Sequence, residues 1–453
     1  MKGLAVLDVG KSNVKLAVLD AHGALKLERR RPNKIVDTPP YPHYDIEGIW
    51  NWFLNELAAA AKQFPIEALV ATTHGACAAL VNDAGLVLPV LDYESTLPES
   101  ISAEYDALRD PFDETFSPAL PAGLNLGRQL YWQAKNFPKE FRRARFVLTY
   151  PQYWAWRLSG VAAAEVTSLG CHTDLWQPQP AEYSILVTRA GWEPLFPPLR
   201  PAWASLGALK KDIAARTGLP ETAQVLCGIH DSNASLLPHL LARQNTAAFN
   251  VVSTGTWVIV AGVGARLGIL DGARDMLANV DALARPVPCV RFMGGREFEL
   301  LNRGMRGECL ADDVHTVVKN GAMALPSFAE AGGPFLHRVG RVIGEPVGAG
   351  QRYALATLYC ALLTDYCLDL LESSGDIVLE GSFTANPHFA PLLAALRPTQ
   401  SVLVSEDAAG TLSGAAALGR WGEPMPARTH AIKPFADPAL AAYRASWRQR
   451  LSA

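Results

Sequence analysis

The run Leu4-Ala-Val-Leu-Asp8-Val-Gly10-Lys11-Ser12-Asn13-Val-Lys15-Leu-Ala-Val-Leu19 decides how this chain is read. Apolar residues flank a short polar break, so the stretch predicts strand, tight turn, strand. The same plan returns past the midpoint in Ala248-Phe-Asn-Val-Val-Ser253-Thr254-Gly255-Thr256-Trp257-Val-Ile-Val260. A Gly-centred turn lets backbone N–H groups approach an anion closely. Two such hairpins facing each other across a cleft can hold a triphosphate, which points to phosphoryl transfer.

The first hairpin opens a predicted meander over 4–9, 14–19 and 24–29. The acidic start and apolar spacing of Asp45 to Leu57 predict an amphipathic helix. Ile66 to Gly75 predicts a strand ending in the polar loop Thr72-Thr73-His74-Gly75. Val87 to Leu91 predicts a further short strand, ending at Asp92-Tyr93-Glu94-Ser95. Residues 96–200, rich in Pro and aromatics, predict insertions capping a cleft. Gln224-Val-Leu-Cys227-Gly228-Ile229-His230-Asp231 predicts strand, loop and helix start, and the chain then crosses to its second half through about residues 238–246. There the hairpin around Gly255 comes first. A helix near 350–373 leads to a strand from Asp376 ending in Glu380-Gly381-Ser382, and Ser401 to Ala417 predicts a strand running into a Gly/Ala-rich helix. Three parallels in the same order favour duplication over chance.

A chain of 453 residues is too long for one core. Two domains are expected, 1–241 and 242–453. Hydrophobic residues at 49% and charged residues at 19% suit a soluble globular protein. A net charge of −3 and no basic stripe give no case for nucleic acid or anionic membrane. The seven cysteines include no CxxC pair, which argues against structural zinc and a disulfide framework and fits a reducing cytoplasm. The N-terminal strand carrying Asp8 and Lys11 does not read as a signal peptide. Tyr353 to Leu371 is apolar but broken by Asp365 and Asp369, so it reads as a buried helix rather than a membrane span.

Asp8 stands at a strand end beside Gly10, Lys11, Ser12 and Asn13. Such a carboxylate can hold hydrated Mg²⁺ while the turn binds phosphate. Taken alone the motif reads first as a β-turn needing Gly and Asn; the second turn, Ser253-Thr254-Gly255-Thr256, tips the pair towards phosphate. Neither is a Walker A sequence. Asp231 lies between an apolar strand and a helix rich in small residues, where catalytic groups of α/β proteins stand. It is a candidate base for an attacking hydroxyl, the alternative being a helix cap by Asp231 or Ser232. His74, and Asp92, Tyr93 and Glu94, are candidate polyol contacts against the plainer reading of strand-end polar residues. Gly381-Ser382 and Gly410-Thr411-Leu-Ser413-Gly414 offer close-approach backbone to a flat ligand such as adenine, or simply serve turns and helix packing.

These residues, in this order over nearly the whole length, resemble the FGGY carbohydrate kinases of the actin/hexokinase/heat-shock-chaperone superfamily. Asp8-Val-Gly10 matches the family's phosphate- and metal-contacting hairpin, and His74-Gly75 its sugar-site His-Gly. Gly228-Ile-His230-Asp231 matches the element carrying the catalytic base. Ser253-Thr254-Gly255-Thr256 matches the second phosphate hairpin, Gly381-Ser382 the adenosine border, and Gly414-Ala-Ala-Ala-Leu418 the last helix. The chain departs from the pattern in three places. Lys11 stands where Thr or Ser is usual, Asp231-Ser-Asn-Ala234 replaces Asp-Asn-Ala, and the adenosine loop lacks the usual glycine run. Ser253-Thr-Gly-Thr-Trp257 and His230-Asp231 lean towards the rhamnulose and fuculose kinase branch.

The resemblance implies two α/β domains of the ribonuclease-H-like, actin-like ATPase type with an interdomain cleft. It implies a phosphotransferase using ATP and Mg²⁺, with an alcohol group as acceptor. Asp231 would be the base and Asp8 the metal contact. Gly10, Lys11, Ser12, Asn13, Thr254, Gly255, Thr256, Gly381 and Ser382 would meet the nucleotide. His74, Gly75, Asp92, Tyr93, Glu94 and His230 would meet the sugar, with a homodimer left open. The rivals are a non-kinase ATPase of the same superfamily and a sugar-binding pseudokinase.

Overall fold

The computed structural model describes residues 3–243, 248–305, 308–406, 410–425 and 428–451. The chain forms two compact units. The first takes Met1–Asn245, Ala278–Pro286 and Ala409–Ala427; the second takes Thr246–Leu277, Val287–Ala408 and Arg428–Ala453. Ala278–Pro286 and Ala409–Ala427 thus pack in the first unit although both lie beyond the sequence boundary at 241. The expected crossing falls partly on residues 244–247, outside the described residues.

In the first unit the opening run folds as β1 (Gly3–Val9) and β2 (Asn13–Asp20), and β3 (Leu25–Pro32) completes the meander. Further along come β4 (Ala68–Thr73), β5 (Ser205–Ala208), β6 (Gln224–Leu226) and β7 (Ile229–His230). The sheet order is β5-β6-β4-β1-β2-β3, with β7 also on β4. β1 runs parallel to β4, and β4 parallel to both β6 and β7; the outer pairings are antiparallel. β1 is buried at every position, as expected of a central strand covered on both faces.

The second unit repeats the plan with β8 (Phe249–Thr254), β9 (Val258–Val263), β10 (Pro286–Phe292), β11 (Asp376–Gly381), β12 (Val402–Ser405) and β13 (Thr429–Ala431). They lie in the order β13-β12-β11-β8-β9-β10. The directions match pair by pair: β8 is parallel to β11 and β11 to β12, with antiparallel partners outside. Two sheets of one order and one set of directions, each opened by a hairpin, are the α/β arrangement the sequence predicted.

Helices cover these sheets where the apolar spacing placed them. Ile46–Ala61 starts at Asp45, whose Oδ1 accepts from the Gly48 amide at 2.9 Å, and buries Ile46, Ile49, Trp50, Phe53, Leu54 and Leu57. Gly348–Leu370 is the central helix of the second unit and is buried along most of its length. Its fully buried Asp365 meets Arg397 at 2.8 Å, Arg444 at 2.7 Å and Arg448 at 2.6 Å, so a charge inside an apolar helix is matched by cations on the helices that follow. Among the described residues no helix is long and apolar enough to cross a membrane. All seven cysteines are buried, and none forms a disulfide.

Val87 to Leu91 is not a strand. The strands there are Ala78–Asn82 and Gly85–Leu86, and only Leu91 forms a bridge, to His43. Leu88, Val90 and Leu91 are apolar because they are buried as single segments, with the Tyr44 amide bonding Val90 O. The segment 96–200 holds short helices and the strand Phe146–Thr149, which pairs with Ala78–Asn82.

Candidate active site

Three parallel strands of the first unit end at one sheet edge, and this register gathers the candidate residues. Asp8 of β1 is level with Thr72 of β4, and Thr73 is level with His230 of β7. The His74 amide bonds Val9 O at 2.9 Å. Asp8, His74 and Asp231 are brought together at the carboxyl edge by the sheet, although up to 223 positions separate them (231 − 8).

The antiparallel register of the first hairpin sets Lys15 opposite Asp8, and their side chains pair at 3.0 Å. Burial pushes the Asp8 carboxyl above its usual range, Lys15 pulls it back, and the Asp231 charge adds to the rise. Lys15 escaped the sequence reading, yet counting back across the Gly10–Ser12 turn pairs positions 8 and 15. The Gly10 amide closes the turn on Asn13 O at 2.9 Å.

Asp231 is the first residue of the helix Asp231–Ala242, and His230 occupies the cap position. The Asp231 side chain is 31% exposed. Its Oδ1 accepts from the Ser232 amide at 2.6 Å and the Ser232 hydroxyl at 3.3 Å, and lies 3.3 Å from His230 Nε2. Among the described residues Oδ2 has no hydrogen-bond partner. Desolvation raises this carboxyl above its ordinary value, against the pull of His74 and Ser232. The helix Asp231–Ala242 packs tightly on Thr411–Gly419 in the same unit: a Cβ on Gly414 would lie 1.8 Å from Ala234 O, so only glycine fits there.

Both histidines are neutral, because burial lowers each to about 4. His74 Nδ1 faces Gly75 O at 2.9 Å and must donate to it, so Nε2 is an acceptor. That Nε2 is buried and has no partner among the described residues. The ring sits among Tyr44, Tyr93 and Tyr150, with centroids 5.2 to 5.3 Å away. His230 Nδ1 lies 3.4 Å from the Asn233 amide nitrogen, which donates; His230 Nε2–H therefore points at Asp231. A Cβ on Gly75 would come 2.9 Å from His230 Nε2, so Gly75 gives that ring its room.

The Lys11 side chain leaves its own turn for the segment Asp92–Glu94. Its ammonium pairs with Asp92 and, at 3.0 Å, with Glu94, and lies 4.5 Å above the Tyr93 ring. Tyr44 OH donates to Asp92 at 3.3 Å. The structure thus joins Lys11, grouped by sequence with the nucleotide contacts, to the three residues grouped with the sugar.

In the second unit Thr254 is level with Gly381. The Thr254 hydroxyl donates to Glu380 O at 2.6 Å and accepts from the Phe383 amide at 2.9 Å. A Cβ on Gly381 would lie 2.0 Å from Thr254 O, and its φ is +87°, so two constraints demand glycine. The Gly255 amide bonds Trp257 O at 2.9 Å, and around the Gly255 Cβ position the only near atom among the described residues is that oxygen, at 3.9 Å. Buried Thr254 thus holds Gly381 and Ser382 against its strand end, where the more exposed Gly255 and Thr256 follow. Among the described residues no group of three or more His, Cys, Asp or Glu could hold a metal ion.

A histidine held neutral in the fold but free to protonate when unfolded lends stability that falls as pH drops from 6.5 towards 4. For His230 this is on the order of 3 kcal/mol. The stability of the wild type relative to His230→Asn, measured by urea unfolding, should shrink by about that much between pH 7 and pH 4. A difference constant with pH would mean that His230 is not buried neutral.

The FGGY family of carbohydrate kinases, N-terminal domain, matches residues 120–238, and carbohydrate kinase FGGY, C-terminal domain, matches residues 246–428. A carbohydrate kinase from Novosphingobium aromaticivorans is 38% identical, with a TM-score of 0.93 over 98% of this chain and 99% of that one. Plasmodium falciparum glycerol kinase, solved with ADP, shares the fold at 11% identity, with a TM-score of 0.80 over 100% of this chain and 98% of that one. L-fuculokinase of Salmonella typhi is 24% identical over 271 residues, covering 57% of this chain and only 56% of the relative. The chain belongs to the FGGY family of carbohydrate kinases.

Proposed function

We propose that this protein transfers the γ-phosphoryl group of ATP to a hydroxyl of a small neutral sugar, with Asp231 as the general base. The observation that carries the reading is the split state of the Asp231 carboxylate: Oδ1 is tied by Ser232 and faces His230, while Oδ2 has no partner among the described residues. Its raised pKa makes it a stronger base than an exposed aspartate. The substrate O–H gives its proton to Oδ2. The oxygen then bonds to the γ-phosphorus as the bond from phosphorus to the bridging oxygen breaks, and ADP leaves.

The first hairpin supports phosphate on its own terms. The Gly10 amide is used in the turn, so the following amides of Lys11 and Ser12 are the candidate donors, with Asn13 beside them and Lys15 behind. Asp8 fits a metal held through water, since Lys15 occupies only Oδ2 and a magnesium ion bound with phosphates needs few protein carboxylates. When bound, Mg²⁺ would neutralise charge on the phosphates. In the second unit the open face at Gly255 and Thr256, with Gly381 and Ser382 alongside, is assigned to the nucleotide. The fold is shared with a glycerol kinase solved with ADP, which supports a nucleotide as the phosphoryl donor.

On the sugar side, His74 Nε2 offers an acceptor, Lys11 a donor, and Asp92 and Glu94 further acceptors, with Tyr93 as a flat wall. Lys11 is offset by two carboxylates, so no cation here is left over for a sugar acid. This favours a neutral ketose such as L-fuculose or L-rhamnulose, in line with the L-fuculokinase relative. ATP chemistry and seven cysteines outside disulfides suit a cytoplasmic location.

Asp231→Asn should cut ketose-dependent ADP release by about 10²- to 10⁴-fold while leaving the melting temperature nearly unchanged. Turnover within a few-fold of wild type would remove the base assignment. Lys11→Met should raise the KM for sugar about tenfold and leave that for ATP within about twofold; the reverse pattern would return Lys11 to the nucleotide.

A further inference from the structure

Glu165 is a fully buried carboxylate that nothing above uses. Its Oε2 accepts from the Thr167 amide at 3.0 Å and the Thr167 hydroxyl at 2.5 Å, and its Oε1 is buried with no hydrogen-bond partner among the described residues. The Thr167 hydroxyl in turn accepts from the backbone N–H of His230 at 3.1 Å. A hydroxyl has one proton, and here it goes to Glu165; its lone pair is thereby aimed at His230. His230 is the residue before the base, and its ring faces Asp231 Oδ1. We infer that Glu165 is a positioning residue for Asp231, acting through the Thr167 hydroxyl on the His230 backbone, a role that rests on Asp231 being the base.

Glu165 also caps the short helix Val166–Leu169 through the Thr167 amide, but its burial without a cation points to a job besides capping. Burial raises its carboxyl to about 7, opposed only by the Thr167 hydroxyl and the Thr167 and Ser168 amides; no cation is among the influences on it. The neighbouring titratable groups are the Cys227 thiol, which burial keeps protonated, His230, which is neutral, and Arg200, whose amide bonds Ala164 O and whose side chain lies at the surface. A carboxyl whose folded pKa is raised opposes folding as pH climbs from its ordinary value of 4.5 towards 7. Burying an unpaired acid therefore costs stability at neutral pH. What its charge provides is the stronger hold on the Thr167 donors.

The test compares wild type, Glu165→Gln, Thr167→Val and Thr167→Ser between pH 6 and pH 8, with whichever of L-fuculose and L-rhamnulose gives more ADP release. Glutamine resembles the protonated acid. The ratio of wild-type kcat to that of Glu165→Gln should thus grow from near one at pH 6 to about ten at pH 8, with the KM for sugar within about twofold. Titration of Asp231 cancels in that ratio. Thr167→Val should reproduce the loss at pH 8 and Thr167→Ser should restore the rate. The melting temperature of Glu165→Gln relative to wild type should rise from pH 5 to pH 8. A rate ratio independent of pH, or Glu165→Gln as fast as wild type at pH 8, overturns the inference while leaving the kinase reading intact. Turnover surviving in an Asp231→Asn control overturns both.

Discussion

The site depends on one constraint, the parallel register of β1, β4 and β7. Strands that run the same way end at the same edge, and each carries a polar residue at or just beyond that end: Asp8, His74 after Thr73, and His230-Asp231. A one-residue slip would turn Asp8 to the opposite face of the sheet. The apolar run that packs both faces of β1 into the first unit is therefore also what aims the carboxylates. Gly75 and Gly414 maintain the same alignment by letting His230 and the base helix approach within distances a Cβ would forbid.

Desolvation then sets the charges. Burial keeps His74 and His230 neutral, with tautomers chosen by Gly75 O and by the Asn233 amide, so one presents an acceptor and the other a donor. The same burial lifts Asp8, Asp231 and Glu165. Each such group opposes folding in the window between its ordinary and shifted values, histidines below 6.5 and carboxyls above their usual range. Asp365 in the second unit shows the other way to keep a buried acid, with three arginines around it. The contrast separates a charge matched for structure from charges left poised.

Much of this was legible in the sequence because it is local. Both hairpins read from alternation and a polar break, and Asp231 read from a strand meeting a helix rich in small residues. The repeat of order was visible before the sheets showed the same directions twice. Two things were not local. The direction of Lys11 depends on Asp92, 81 positions away, and the relay from Glu165 depends on Thr167 meeting His230, 63 positions on. Val87 to Leu91 misled for a related reason: its apolar residues answer to burial rather than to a ladder partner, while the strand at Ala78–Asn82 opens on two alanines, which favour strands weakly.

The most direct test of the account is the fate of the γ-phosphate of labelled ATP, incubated with the protein, Mg²⁺ and in turn a neutral ketose, an aldose, a polyol and a sugar acid. The account predicts label in a sugar ester, greatest with a ketose and weak with the acid, and little inorganic phosphate. Label released only as inorganic phosphate, at a rate no sugar changes, would contradict it and leave an ATPase in its place.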